Sequence, residues 1–189
     1  MKNAIILHGT SANPDKNWFP WLKKELEQKG YKVWVPQLPD ADAPNVKKYN
    51  EFLLNNGFDF NEETALIGHS SGSMAILGLL QNLPGDIRIG TAILVGSFIN
   101  DLGSDDLKGL FLEEFDWEKI KSKADRFIFF HSDNDPYCPL EHAEFLSEKL
   151  SGKLIVMKGQ GHFNITSHPK YKEFPELLKE LTGRGAKLP

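Results

Sequence analysis

The chain holds one cysteine, Cys138, in 189 residues. No intramolecular disulfide is open to it, which fits a reducing compartment and excludes the small disulfide-stapled secreted class. Long apolar runs are also missing. The N-terminal run Ala4-Ile5-Ile6-Leu7 is too short for a signal-peptide core or a membrane span, so the expected location is cytoplasmic. No charge of one sign dominates: 22 Lys and Arg stand against 26 Asp and Glu, a net charge of −4. That excludes the basic footprint of a nucleic-acid binder, and no basic cluster argues for a membrane surface. Metal-ligand spacings of the H-x-x-E-H or C-x-x-C kind are absent. A centre built from His8, His69, His131 and Asp133 therefore lacks support, and no metal or cofactor is expected. Repeats, low-complexity tracts and dividing linkers are lacking too, so residues 1–189 read as one domain.

What is present is an alternation. Short β-rich apolar runs at Ala4–Leu7, Tyr31–Val35, Thr64–Ile67, Thr91–Val95, Phe127–Phe130 and Leu154–Met157 read as six strands. Between them lie helical patterns. One follows Asn17 as a cap, with Pro20 in its first turn, Trp18, Leu22 and Leu26 on one face and Gly30 as its stop. Others fall near 43–58, Ser71–Leu83, 140–150 and 170–182, and the tail Gly183–Pro189 is expected to fray. Strand alternating with helix predicts an α/β fold with a mainly parallel sheet. Residues 97–123 break the rhythm. Phe98, Leu102, Leu107, Leu110, Phe111, Phe115 and Trp117 are set there among acids. The stretch reads equally well as a small cap over a site and as a crossover helix near 116–124 behind a loop.

The organising stretch is Thr64-Ala65-Leu66-Ile67-Gly68-His69-Ser70-Ser71-Gly72. A strand runs into G-x-S-x-G and a helix starts at once, the arrangement that exposes the middle serine at a nucleophile elbow. A hydroxyl needs an adjacent base, and the base needs an orienting acid. In this architecture both follow the nucleophile, acid before histidine. The acid is expected in Ser132-Asp133-Asn134-Asp135-Pro136. Asp135 is favoured because Pro136 and Pro139 fix a rigid turn, whereas Asp133 reads as a turn-former accepting from backbone N–H groups. The base is expected at Gly161-His162, since His168 precedes Pro169 at a helix start. His8 and His69 read as hydrogen-bonded packing residues. An oxyanion hole is expected from the backbone N–H groups of Thr10 and Ser71, and Trp18 and Phe98 are candidates for lining the acyl pocket.

These residues resemble the α/β-hydrolase superfamily. The closer resemblance is to the small serine hydrolases of the YdeN type, which include the retinoblastoma-binding protein 9 group. It is carried by H-G-T at 8–10, W-F-P-W-L at 18–22, G-H-S-S-G at 68–72, F-D-W at 115–117, S-D-N-D-P-Y-C-P at 132–139 and G-H-F at 161–163. It spans nearly the whole chain. The resemblance implies a six-stranded parallel sheet with helices on both faces, a Ser70–Asp135–His162 triad and hydrolysis of small esters or amides. Cys138 stands where that family tends to have an aliphatic residue, and the L-x-C-x-E motif for a pocket-protein partner is absent. The expected function is a serine esterase acting on a small-molecule ester. A thioesterase or amidase with the same residues, or a hydrolase-like module that binds a protein partner with little turnover, stands as the alternative.

Overall fold

The computed structural model describes residues 1–183. Most of the expected frayed tail, residues 184–189, lies outside the described residues. Six strands form one sheet: β1 (Asn3–Leu7), β2 (Lys32–Trp34), β3 (Thr64–His69), β4 (Ile89–Val95), β5 (Ala124–Ser132) and β6 (Lys153–Met157). Their spatial order is β2-β1-β3-β4-β5-β6, and every neighbouring pair is parallel. The chain first winds outward from β1 to β2, then returns across β1 to β3 and proceeds the other way. The order thus reverses beside β1 and β3. In open α/β sheets ligands bind at such a switch point, outside the carboxyl ends of the strands.

Helices cover both faces because the central strands are apolar on both sides. Ala4 and Ile6 of β1, Ala65 and Ile67 of β3 and Ile93 and Val95 of β4 share one core with α1 (Phe19–Gln28) and α6 (Pro175–Thr182). Ile5, Leu7, Leu66 and Leu94 point the other way, towards α2 (Val46–Leu54), α3 (Ser71–Asn82) and α5 (Leu140–Lys149). The small and apolar residues of α3 let it lie flat in this second layer. Every residue from Ser71 to Leu80 is buried.

Two local expectations need correction. Asn17 does not cap α1. It sits at φ +53°, the N-cap position falls to Trp18, and the Asn17 side chain bonds elsewhere. The helix expected over 43–58 is shorter. It starts where Asn45 caps it, the Oδ1 accepting from the N–H groups of Lys47 and Lys48. The irregular stretch between β4 and β5 holds a 3-10 turn at Asp105–Leu110 and the short helix α4 (Trp117–Ser122). An aromatic chain from Phe98 through Phe111, Phe115 and Trp117 to Phe145 of α5 fastens it to the body. None of the described helices is long and apolar enough to cross a membrane.

Candidate active site

Ser70 is the hinge between β3 and α3. Its backbone takes φ +55°, ψ −123°, a conformation that L-residues adopt only when the surroundings impose it. Those surroundings are specific. Its N–H donates to the Val95 carbonyl at 2.8 Å and its carbonyl accepts from the Ser73 N–H at 2.8 Å. The Ser73 hydroxyl donates to the Gly68 carbonyl at 2.9 Å. Helix and strands pass so closely that a Cβ on Gly72 would lie 2.4 Å from the Leu7 carbonyl oxygen. A Cβ on Gly68 would lie 2.5 Å from that of Gly72. The loop after β1 runs alongside, and the Thr10 hydroxyl donates to the Ser71 hydroxyl at 3.0 Å. The two residues expected to supply an oxyanion hole are therefore neighbours across the α3 N-terminus.

The loops after β5 and β6 bring Asp135 and His162 together. Nδ1 of His162 lies 2.7 Å from Oδ2 of Asp135. The Asp135 side chain is fully buried and that of His162 is 7% exposed. Oδ1 of Asp135 accepts from the N–H groups of Tyr137 at 2.9 Å and Cys138 at 3.0 Å. Burial alone would raise the carboxyl pKa. The His162 hydrogen bond and charge, with the two backbone donors, outweigh it and hold the group below the usual carboxylate range. An ionised carboxylate only accepts, so Nδ1 of His162 carries a proton, and in the neutral imidazole the lone pair is then on Nε2. Asp133 is used differently, its Oδ1 accepting from the Gly159 N–H at 2.7 Å.

Several residues that hold this arrangement escaped the sequence reading. The Ser132 hydroxyl oxygen accepts from the Gln160 N–H and Asn134 Oδ1 from the Gly161 N–H, at 2.9 and 2.8 Å. With Asp133 they clamp the histidine loop to the acid loop. Asn17 Oδ1 accepts from the Ile165 N–H at 3.1 Å. Gly96, at φ +59°, lies under the imidazole: a Cβ there would come within 3.0 Å of His162 Cε1 and 3.5 Å of Asp135 Oδ2. The one available signal was position, since Gly96 follows the strand paired with the elbow strand.

Three buried histidines act as staples between loops. His69 Nε2 donates to the His162 carbonyl at 2.7 Å. His131 Nε2 donates to the Cys138 carbonyl at 2.8 Å. His8 donates from Nδ1 to the Gly9 carbonyl and accepts at Nε2 from the Leu38 N–H. Burial lowers the pKa of all three. For His69, burial and the neighbouring His162 bring it to about 3.

Ser70 and His162 line one cleft of about 700 Å³ at the switch point, together with Thr10, Phe98, Leu107 and Tyr137. Phe98 thus stands where a pocket-lining residue was expected. Trp18 does not. It is fully buried behind the cleft, stacked edge-on against Phe19 and Phe174, with its indole N–H donating to the Phe163 carbonyl at 3.0 Å. An indole at the start of α1 faces the sheet, so it supports the histidine loop from below. Asp135, Cys138 and His162 are the described residues whose ligand atoms group as a metal site would. Burial pushes the Cys138 thiol well above its ordinary pKa, which disfavours the thiolate a metal needs.

The serine hydrolase family model matches residues 4–182. The chain belongs to that family. Among its relatives is the serine hydrolase RBBP9 of Rattus norvegicus, 30% identical over 181 residues, covering 93% of this chain and 91% of the relative. The YdeN protein of Bacillus subtilis is 29% identical over 163 residues, 86% of each chain. The crystal structure of the B. subtilis ydeN product superposes with a TM-score of 0.89 at 28% identity, covering 96% of this chain and 97% of that one. An esterase of Exiguobacterium antarcticum superposes with a TM-score of 0.69 at 17% identity, over 97% of this chain and 92% of its own. The last likeness carries the α/β-hydrolase fold only. This family member has the YdeN-like form of that fold, with six parallel strands and helices on both faces.

Proposed function

We propose that this serine hydrolase cleaves small carboxylic esters through an acyl-enzyme on Ser70. The observation that carries the reading is the buried 2.7 Å Asp135–His162 hydrogen bond behind the imidazole, in a cleft that His162 lines together with Ser70 at its forced positive φ. In the proposed cycle His162 Nε2 takes the Ser70 proton as Oγ attacks the ester carbonyl. Asp135 fixes the tautomer and stabilises the imidazolium. The backbone N–H groups of Thr10 and Ser71 receive the oxyanion, each contributing about 3 kcal/mol at the transition state. His162 returns the proton to the leaving alcohol, and water repeats the sequence in reverse to free the acid. Phe98 and Leu107, from the segment between β4 and β5, serve as the acyl wall and make that segment a small cap over the site. The single buried thiol suits a cytoplasmic location.

The test is a fluorophosphonate probe with the adduct located by mass spectrometry. One adduct on Ser70, absent in Ser70→Ala and His162→Ala, is expected. Ester turnover in those variants should fall by roughly 10⁴-fold while their unfolding midpoints stay near that of the parent. A folded parent protein that takes no label would put the protein-binding module in first place.

A further inference from the structure

Resting on the serine-esterase reading, we propose that Tyr137 and Ile165 form the binding site for the leaving alcohol, and that this site favours an apolar alcohol bearing a ring. Tyr137 is 60% and Ile165 36% exposed, unusual for residues of their size and apolar character. Both line the cleft, whereas the other large exposed apolar residues among the described ones, Met1, Leu112 and Val156, do not. Exposed apolar side chains gathered in one cleft, rather than scattered singly over the surface, point to area that a ligand covers.

Their place relative to the chemistry decides which part of the ligand it is. The Tyr137 ring centroid lies 5.1 Å from that of His162, with the rings 79° apart. Ile165 follows His162 by three residues on the same loop. During acylation the Ser70 Oγ–carbonyl bond forms and the carbonyl–alkoxy bond breaks. The alkoxy oxygen leaves with the proton that His162 took from Ser70. The leaving group must therefore pass beside the imidazole, where the Tyr137 ring stands, and Ile165 lines the same cleft. The acyl group stays bonded to Ser70, and the proposal assigns to it Phe98, Leu102 and Leu107 of the same cleft.

Both residues are held in place before any ligand arrives. The Tyr137 N–H is tied to Asp135 Oδ1 and the Ile165 N–H to Asn17 Oδ1. Pro136 and Pro139 stiffen the tyrosine's turn. An exposed ring on a fixed backbone gains from a second ring through both area burial and edge or offset stacking, which a short alkyl chain lacks.

The experiment holds the acyl group constant and compares benzyl acetate with ethyl acetate. The parent protein should give a benzyl-to-ethyl ratio of kcat/KM on the order of tenfold or more, the size expected for burying half a ring. In Tyr137→Ala that ratio should fall by about tenfold, in Ile165→Ala by roughly threefold, and in Tyr137→Phe it should stay within about twofold. Damage to His162 slows both esters alike and leaves the ratio unchanged, so the ratio reports the leaving-group contact alone. A ratio near one in the parent, a ratio kept by Tyr137→Ala, or one lost in Tyr137→Phe overturns the proposal. Labelling of Ser70 in the same preparations separates the two failures. A labelled enzyme with a flat ratio removes the leaving-group site only, and an unlabelled folded protein removes the esterase reading with it.

Discussion

Asp133 and Asp135 stand two residues apart in one turn, yet they accept from different partners. Asp135 receives Nδ1–H of His162 and two backbone donors inside the protein. Asp133 receives one N–H from Gly159 at the surface. Asp135→Asn should therefore lower kcat/KM by roughly 10⁴-fold, because an amide can force the wrong imidazole tautomer. Asp133→Asn keeps an accepting oxygen and should stay within about threefold, with kcat/KM on one ester deciding between them. The opposite ranking would move the acid to Asp133. The sequence separated these aspartates because prolines flank one of them, and proline limits the backbone in a readable way. It did not reveal Ser132 and Asn134 as acceptors for Gln160 and Gly161. Hydrogen bonds between two irregular loops leave no period in a sequence. Trp18 was misplaced for a related reason: a helix pattern identifies the apolar face without saying whether a side chain on it opens to the cleft or lies covered beneath the histidine loop.

At the scale of elements, the strand-to-helix turns were legible and their close contacts were not. Short β-rich apolar runs predict all six strands; burial on both faces demands them in β1, β3, β4 and β5, while β2 and β6 are half-exposed edge strands. The expected cap of α1 failed because Asn17 is used to hold the histidine loop instead. Tertiary hydrogen bonding overrode a local preference. Gly96 was missed because nothing local distinguishes it from any glycine after a strand. Its role is spatial, and it can be tested against Gly30. Gly30 ends α1 at φ +83° with open space where a Cβ would go. Gly30→Ala should cost about 1 kcal/mol in urea unfolding and leave kcat/KM intact. Gly96→Ala carries the same backbone strain, but its Cβ also presses on the imidazole from 3.0 Å. The imidazole must give by a few tenths of an ångström, and since a misplacement of about 1 Å costs about 10²-fold in rate, Gly96→Ala should lose activity by roughly several-fold where Gly30→Ala keeps it. Equal activity in the two variants would remove Gly96 from the positioning of His162.

Across the whole molecule, the loops at the carboxyl edge are stapled by His8, His69 and His131, all buried and held neutral. This ties stability to pH with a definite sign. Their folded pKa values lie below the ordinary 6.5, so below about pH 6.5 the unfolded chain binds protons that the folded one does not. Stability is complete above that pH and falls as pH drops through the window, which for His69 extends down to about 3. The Asp135 carboxylate draws a proton towards His69, while burial and His162 repel it more strongly. Asp135 itself acts lower: its depressed pKa adds stability above the ordinary carboxylate range, lost only as pH falls through the folded value. At pH 5 the His69 contribution alone is about 2 kcal/mol, a large share of a typical net stability of roughly 5–15 kcal/mol. The urea midpoint should therefore drop clearly between pH 7.5 and pH 5.0. His69→Gln keeps a donor near the Nε2 position without a titrating group, and should shrink that drop by about 2 kcal/mol. His69→Leu removes the titration as well but leaves the His162 carbonyl unpaired in the interior, so it should be less stable than His69→Gln at both pH values, by roughly 1–3 kcal/mol. A midpoint unchanged from pH 7.5 to pH 5.0 in the parent would mean that the staples open to water or to protons before the fold does.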